Sequence, residues 1–321
     1  MIKNEIWLIG TGLMAEEYVK VLKALNVDFI VIGRDYTRCD QFFQKTGIIP
    51  ITGGLDNFLL TNPILPNAVI NATGIEALTN TTKSLLQYGV KYILLEKPGF
   101  GNPNELEFTV SLAFEKNATI LLAYNRRFYQ SVIKAKEILE EDGGVKSFNF
   151  EFTEWSHTIE KLVKTKVEKE FWFYGNSSHL IDLAFYLGGV PKTISTYKSR
   201  GLTWHPSGSI YGGAGETING AIFSYIANWE SPGRWGVELS SNNYRIIFRP
   251  IEKLQIMKIG SVLIEEVVGI DYSFDLSFKP GLYKQIVSLL NKELTEFCKI
   301  DEHFLKTKNI YSKIGGHFLN I

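Results

Sequence analysis

Residues 6–15 of the chain read IWLIGTGLMA, and this stretch decides the fold. Its first four residues form a short continuous apolar run, which is typical of a strand buried on both faces. Gly10, Gly12 and Ala15 then give the spacing G-x-G-x-x-A, and residues 14–25 continue with apolar side chains at helical spacing. The first glycine allows a tight turn, the second lets the backbone approach a pyrophosphate, and the small third residue lets helix and strand pack closely. The stretch therefore predicts a strand–turn–helix unit that binds a dinucleotide at the helix N-terminus.

The composition is that of an ordinary globular protein. Of the 321 residues, 45% are hydrophobic and 21% are charged, which excludes a disordered, collagen-like or low-complexity chain. The 34 basic and 34 acidic residues cancel, so the net charge gives no indication of a nucleic-acid or membrane partner. Cys39 and Cys298 lie far apart and argue against a disulfide framework, and neither a signal peptide nor a membrane-spanning run is recognisable. We therefore expect a cytoplasmic protein.

The pattern of apolar residues predicts two domains. Strand-like runs at residues 28–32, 68–72, 92–95 and 119–123 alternate with helical patterns, which predicts an α/β domain over residues 1–123, a Rossmann-type doubly wound parallel sheet. Over residues 124–321, runs rich in Phe, Ile, Val and Tyr predict an α+β domain with a large, mostly antiparallel open sheet. Helices are expected at residues 178–187 and 282–298. The glycine-rich residues 208–215 are expected to form a mobile loop or a long hairpin connection.

The end of the second predicted strand favours NADP over NAD as the cofactor. An acidic residue about 20 positions after the glycine motif usually binds the ribose hydroxyl. Here that position is Gly33, followed by Arg34, with Arg38 as a second basic candidate. A small residue beside a guanidinium accommodates the 2′-phosphate of NADP, which a carboxylate would repel. Asp35 is the alternative that would reach the ribose of NAD.

Further motifs follow in order along the chain: ATG at residues 72–74, EKP at 96–98, YNRRF at 124–128 and HLID at 179–182. With the glycine motif, this order resembles the glucose–fructose oxidoreductase / inositol dehydrogenase (Gfo/Idh/MocA) family over nearly the whole chain. The resemblance implies NAD(P)-dependent hydride transfer between the nicotinamide and a carbinol or ketone of a sugar, polyol or sugar derivative. It also implies a homodimer or homotetramer formed through the open sheet, and a cis peptide bond between Lys97 and Pro98.

Two residues are candidates for catalysis. Lys97 follows a predicted strand at the sheet edge where such folds bind ligands, and its cation would stabilise a developing alkoxide. His179 matches the helix histidine of the family, and an imidazole suits proton transfer near neutral pH. The aspartate that the family commonly carries four residues earlier is Gly175 here, so the usual acid–base carboxylate is missing.

The motifs and the resemblance together give the remaining predicted site residues. Those expected to bind the cofactor are Gly10, Thr11, Gly12, Leu13, Met14, Gly33, Arg34, Arg38, Ala72, Thr73, Gly74, Glu96, Lys97 and Asn125. Those expected to bind the substrate are Lys97, Arg127, Trp155, Asn176, His179 and Asp182. The sequence has no Cys/His cluster at metal-binding spacing, so no metal is expected. Two alternatives stay open: a non-catalytic NAD(P)-sensing regulator of the same fold, and a reductase of a non-sugar substrate such as a linear tetrapyrrole or an imine.

Overall fold

The structure is a computed structural model that describes residues 6–316. Residues 1–5 and 317–321, at the outer ends of the two predicted domains, lie outside the described residues. Among residues 6–316, every helix is too short or too polar to cross a lipid bilayer.

The strands and helices alternate in the first third of the chain and then give way to a run of strands. The strands are β1 (Ile6–Ile9), β2 (Phe29–Ile32), β3 (Ala68–Asn71), β4 (Tyr92–Leu95), β5 (Thr119–Leu122), β6 (Ser147–Glu151), β7 (Pro191–Ser199), β8 (Ile210–Thr217), β9 (Ile222–Asn228), β10 (Gly236–Ser240), β11 (Tyr244–Phe248), β12 (Gln255–Lys258), β13 (Ile264–Glu266) and β14 (Cys298–Lys299). The helices are α1 (Leu13–Ala24), α2 (Tyr36–Thr46), α3 (Gly54–Leu59), α4 (Ile75–Tyr88), α5 (Leu106–Glu115), α6 (Gln130–Glu141), α7 (Ser156–Ile159), α8 (Lys166–Glu170), α9 (Ser178–Gly188), α10 (Ser273–Ser277), α11 (Leu282–Asn291), α12 (Ile300–Lys306) and α13 (Ser312–Gly315).

The first sheet is the predicted parallel sheet of the Rossmann type. Within the described residues its strand order is β14-β5-β4-β3-β1-β2, and β14 alone runs antiparallel to its neighbour. Every side chain of β1 is buried, as its continuous apolar run predicts. The chain passes from β2 on one side of β1 to β3 on the other. The carboxyl ends of these three strands therefore lie at the switch in strand order, where open α/β sheets bind their ligands.

The second sheet is the predicted large, mostly antiparallel sheet. Its strand order within the described residues is β13-β12-β11-β10-β6-β9-β8-β7, and only β6 and β9 run parallel. Aromatic rings cover its buried face: Phe148 stacks on Phe223 at 5.4 Å, and Phe150 stacks on Tyr225 at 5.3 Å. Helix α9 packs against this face through Phe185, whose ring lies 5.6 Å from that of Phe150. This aromatic layer fixes the helix that carries His179.

The chain divides into two compact units, and each contains one of the sheets. The first unit comprises residues 6–124 and Ser277–Leu305, and the second comprises Asn125–Leu276 and the described residues from Lys306 onward. The predicted domains, residues 1–123 and 124–321, differ from this division in the segment 277–305. That segment joins the first unit because β14 extends the first sheet and α11 packs on α1.

Two predicted elements are wrong. The helix expected over residues 282–298 ends at Asn291, because Lys292 takes a positive φ of 58° and Cys298 belongs to β14. The loop expected at residues 208–215 is largely strand β8. A Cβ at Gly215 would lie 2.6 Å from the ring of Phe223, and one at Gly213 would lie 2.5 Å from the hydroxyl of Tyr225. These glycines therefore make room for aromatic rings from β9 and do not give the segment loop freedom.

Candidate functional site

The glycine motif forms a turn that leaves the N-terminus of α1 open. Gly10 has a φ of 113°, and a Cβ there would lie 2.5 Å from the carbonyl oxygen of Ala72, so only glycine fits. Gly12 precedes the first turn of α1, and no side chain of a described residue caps that turn. No described atom lies within 4 Å of a Cβ at Gly12. The uncapped amides and the open space beside Gly12 suit the pyrophosphate of a dinucleotide.

A second helix begins beside this turn. Residues 72–74 connect β3 to α4, and the amide of Ala72 donates to the carbonyl of Ile9 at 2.9 Å. The buried side chain of Asn71 accepts from the hydroxyl of Thr73 at 2.8 Å and fixes the turn. Gly74 precedes α4 in extended backbone and carries no side-chain cap. Ala72, Thr73 and Gly74, all predicted to bind the cofactor, thus follow a strand that pairs directly with β1.

The end of β2 leaves little room for a side chain at the position where a ribose-binding carboxylate is usual. A Cβ at Gly33 would contact the Sγ of Cys39 and would lie 2.8 Å from Cγ2 of Thr11. Arg34 and Arg38 are both exposed on the segment that follows. The Oδ1 of Asp35 accepts the amide hydrogen of Arg38 at 2.9 Å, so Asp35 caps α2. The packing thus explains why glycine stands here, and it leaves two basic side chains at this strand end.

The Glu96–Lys97–Pro98 turn follows β4 and contains a buried carboxyl group. Glu96 accepts a hydrogen bond from the hydroxyl of Tyr18 at 2.7 Å. Burial raises the pKa of Glu96, although Lys97 and the bond from Tyr18 act in the opposite direction. Lys97 itself is half-buried, and its peptide bond to Pro98 is cis, as predicted. Because Glu96 is already hydrogen-bonded inside the unit, its contact with a cofactor stays a prediction.

His303 supports this turn from the other end of the chain. Its Nε2 donates to the carbonyl oxygen of Pro98 at 2.7 Å, which leaves Nδ1 to accept from the hydroxyl of Tyr124 at 3.4 Å. The imidazole also stacks on Phe100, with ring centroids 6.1 Å apart. His303 was not predictable from the sequence, because no spacing relates it to a turn 205 residues earlier.

In the second unit, His179 and Asp182 lie one turn apart at the start of α9. Both are buried. The carboxylate of Asp182 accepts from Nε and Nη2 of Arg127, each at 2.7 Å, and from Nζ of Lys306 at 2.8 Å. Burial alone would raise the pKa of Asp182, but Arg127 and Lys306 hold it well below its usual range. Arg127 and Asp182, both predicted to bind substrate, thus bind each other, and their contact with a substrate stays a prediction.

A buried carboxyl group lies next to the position of the missing aspartate. Glu154 follows β6, and its Oε1 accepts from Oγ of Ser177 at 2.7 Å and from Nδ2 of Asn176 at 2.9 Å. Burial raises the pKa of Glu154, and these two hydrogen bonds oppose the rise. Gly175 is open, with no described atom within 4 Å of its Cβ position. Nothing in the sequence marked Glu154, because its partners lie more than twenty residues later in the chain.

The two remaining predicted residues of this unit lie at different depths. Asn125 is buried in the short 3₁₀ turn Asn125–Phe128. Trp155 is 47% exposed, and its Nε1–H donates to the carbonyl oxygen of Gly233 at 2.9 Å. The guanidinium of Arg234 lies over its ring at 4.6 Å. Trp155 therefore presents a fixed aromatic surface to solvent.

Comparison with known proteins identifies the fold. No family model and no curated protein matches the sequence. Among solved structures, levoglucosan dehydrogenase in complex with NADH and L-sorbose has a TM-score of 0.79 and 16% identity, covering 98% of this chain and 96% of that chain. The WlbA dehydrogenase from Bordetella pertussis, in complex with NADH and UDP-GlcNAcA, has a TM-score of 0.75 and 14% identity over 97% and 96% of the two chains. An oxidoreductase from Agrobacterium radiobacter, in complex with NAD+, L-tartaric acid and magnesium, has a TM-score of 0.77 and 13% identity over 97% and 94%.

These similarities extend over nearly the whole of each chain. At such low identities they establish the architecture. The chain has the fold of NAD-binding oxidoreductases, in which a parallel Rossmann sheet is followed by a mostly antiparallel sheet, and the fold expected from the family resemblance is confirmed.

Proposed function

We propose that the protein is an NAD(P)-dependent oxidoreductase of the Gfo/Idh/MocA family, acting on a CH–OH group of a sugar, polyol or sugar derivative. The observation that carries this proposal is the turn at Gly10 and Gly12, which leaves the N-terminus of α1 uncapped and the space beside it open. The three similar proteins described above were solved with NADH or NAD+, which supports the same use of this turn. Their ligands include levoglucosan, L-sorbose and UDP-GlcNAcA, which supports a sugar or sugar derivative as the substrate.

The residues around the strand ends of the first sheet would hold the cofactor. Gly10 to Met14 would bind the pyrophosphate through their amides, and residues 72–74 would line the neighbouring turn. NADP is the preferred cofactor, because Gly33 leaves no carboxylate there and Arg34 and Arg38 are exposed beside it. Asp35, the residue that would favour NAD, is engaged as a helix cap.

Lys97 and His179 are the proposed catalytic residues. When bound, the nicotinamide supplies or accepts the hydride at the substrate carbon. His179 accepts the hydroxyl proton during oxidation and returns it during reduction. Lys97 supplies a cation that stabilises the negative charge of a developing alkoxide. Asn176 binds a further hydroxyl through Oδ1, since its Nδ2 is held by Glu154.

A second copy of the chain is the proposed protein partner. Strand β9 alternates buried and exposed residues, and on its outer face Ile222 and Ile226 are 58% and 60% exposed. Tyr197 of β7 is also exposed on this sheet. An exposed apolar sheet face of this kind favours a homodimer or homotetramer. Sedimentation of the native chain and of Ile226→Glu tests this, because the substitution should shift an oligomer toward the monomer.

The function is tested by following NADPH oxidation with a panel of keto-sugars and sugar nucleotides. We expect turnover with at least one of them, and Lys97→Ala should lower kcat by about 10²–10³ with little change in cofactor affinity. Lys91→Gln is the control, because Lys91 precedes β4 and so lies at the opposite end of the same strand. Cofactor binding without turnover of any compound would instead favour a regulator that senses NAD(P), the alternative to which the missing carboxylate at Gly175 points.

A further inference from the structure

Two arginines of the second unit lie against the same tryptophan. The guanidinium carbon of Arg126 lies 4.6 Å from the ring centroid of Trp235, and that of Arg234 lies 5.7 Å from it. Arg234 also lies 4.6 Å from the ring centroid of Trp155. We call these four side chains the arginine–tryptophan cluster. Stacking on an aromatic face holds a guanidinium in a defined plane and leaves its N–H donors available at the edge.

Neither guanidinium of the arginine–tryptophan cluster is neutralised by a carboxylate. Among residues 6–316, Arg126 and Arg234 form no ion pair and no side-chain hydrogen bond. The Nε of Arg126 is moreover buried without a hydrogen-bond partner. Buried polar groups in proteins are nearly always hydrogen-bonded, so a buried donor on a charged side chain indicates a missing acceptor.

The acidic residues near the arginine–tryptophan cluster do not supply the missing hydrogen-bond acceptor. Burial lowers the pKa of Arg126, and the nearby charge of Arg234 lowers it further. Tyr129, Glu252 and Glu154 act on this pKa in the opposite direction. Glu154 is already hydrogen-bonded to Asn176 and Ser177. Glu252 is exposed to solvent. The two guanidiniums repel each other, and no carboxylate is hydrogen-bonded to either of them within residues 6–316. A bound oxyanion would therefore stabilise this site.

The position of Arg126 in the chain connects the cluster to the proposed substrate residues. Arg126 lies between Asn125 and Arg127 in one 3₁₀ turn. Arg127 is turned to Asp182 on α9, whereas Arg126 is turned to Trp235. Glu154, which interacts electrostatically with Arg126, holds the side chain of Asn176.

We propose that Arg126 and Arg234 bind the carboxylate or phosphate of an acidic sugar. This inference rests on the proposed function and narrows its substrate class from sugars in general to sugars that carry an oxyanion. A guanidinium can donate two parallel hydrogen bonds to either kind of oxyanion. The exposed ring of Trp155, fixed by its hydrogen bond to Gly233, offers an apolar surface for the sugar ring beside the charge.

Calorimetric titration of the full chain, with and without NADH, tests the inference with three probes. D-glucuronate carries a carboxylate, D-glucose 6-phosphate carries a phosphate, and D-glucose carries neither. At least one of the acidic sugars should bind about tenfold or more tightly than glucose, and the comparison of the two identifies the oxyanion. Arg126→Gln should remove this preference and Arg234→Gln should reduce it. Arg245→Gln should preserve it, because Arg245 is an exposed residue paired with Glu238.

Three results would overturn the inference: equal binding of glucose and the acidic sugars, no binding of either acidic sugar at millimolar concentration, or a preference that survives in Arg126→Gln. Thermal melting of each variant shows whether it folds. If Arg126→Gln does not fold, Arg234→Gln provides the second test, because Arg234 is exposed. Failure of the proposed function is a separate outcome. A protein that prefers acidic sugars but binds neither NADH nor NADPH would retain the anion site and lose the oxidoreductase assignment.

Discussion

The buried carboxylate of Asp182 and the guanidinium of Arg127 form a two-pronged ion pair, with both nitrogen–oxygen distances at 2.7 Å. Both side chains are almost completely buried, and Lys306 adds a third bond at 2.8 Å. The pair joins the start of the second unit to the helix that carries His179. It therefore fixes the orientation of α9, and this orientation is a condition for any catalytic role of that histidine.

Breaking this pair should destabilise the protein strongly. In Arg127→Met, Lys306 is the one cationic partner that Asp182 keeps among residues 6–316. Removing one member of a buried pair typically costs about 3–5 kcal/mol. Urea unfolding measures the change. The control is Arg245→Met, which removes an exposed pair with Glu238 and should cost less than about 1 kcal/mol. Equal losses in the two variants would show that the buried pair has no special role.

The same pair predicts loss of stability in acid. The pKa of Asp182 is lower in the folded chain than the value of about 3.9 expected after unfolding. The ionised carboxylate therefore stabilises the fold above pH ~4, and its contribution is lost as the pH falls toward the folded pKa. The free energy of unfolding of the native chain should accordingly fall more steeply below pH ~4 than that of Asp182→Asn. Parallel curves for the two proteins would refute this contribution.

Arg34 should decide the preference between the two cofactors. A charge-assisted hydrogen bond to the 2′-phosphate contributes roughly 1.5–3 kcal/mol, so Arg34→Gln should raise the Kd of NADPH about tenfold or more and leave that of NADH nearly unchanged. Arg38→Gln, tested in parallel, shows whether the second exposed arginine shares the contact. Equal Kd values for NADPH and NADH in the native protein would rule out the NADP assignment.

His179 should produce the acidic limb of the rate profile. Protonation of an imidazole removes its ability to accept the substrate proton, so kcat/KM for oxidation should fall as the pH falls. His179→Asn should flatten this limb and lower kcat by roughly 10²–10⁴ while cofactor binding is retained. His157→Asn serves as the control, because His157 is exposed on α7. An unchanged acidic limb in His179→Asn would mean that another group carries the proton.

The sequence predicted those parts of the fold that depend on short-range patterns. The apolar run before Gly10 and the spacing to Ala15 were enough for the β1–α1 turn, since both express local backbone and packing requirements. The partners of Asp182 and Pro98 were not predictable in this way, because Arg127 and His303 lie 55 and 205 residues away. The glycines of β8 indicated a loop where the chain forms a strand, for a related reason. Their small size serves the aromatic rings of a neighbouring strand, which a local pattern does not reveal.

The most direct test of the account is a fluorescence titration of NADPH against the native chain, Gly12→Glu and Lys91→Gln. A side chain at position 12 meets no described atom within 4 Å of its Cβ, so Gly12→Glu should fold with an unchanged Tm. Its carboxylate would nevertheless occupy the open space at the N-terminus of α1 and repel a pyrophosphate. We predict saturable binding by the native chain and by Lys91→Gln, which changes the net charge equally, and at least about a hundredfold weaker binding by Gly12→Glu. Native affinity in Gly12→Glu, or no binding by the native chain, would contradict the assignment of this turn as the cofactor site.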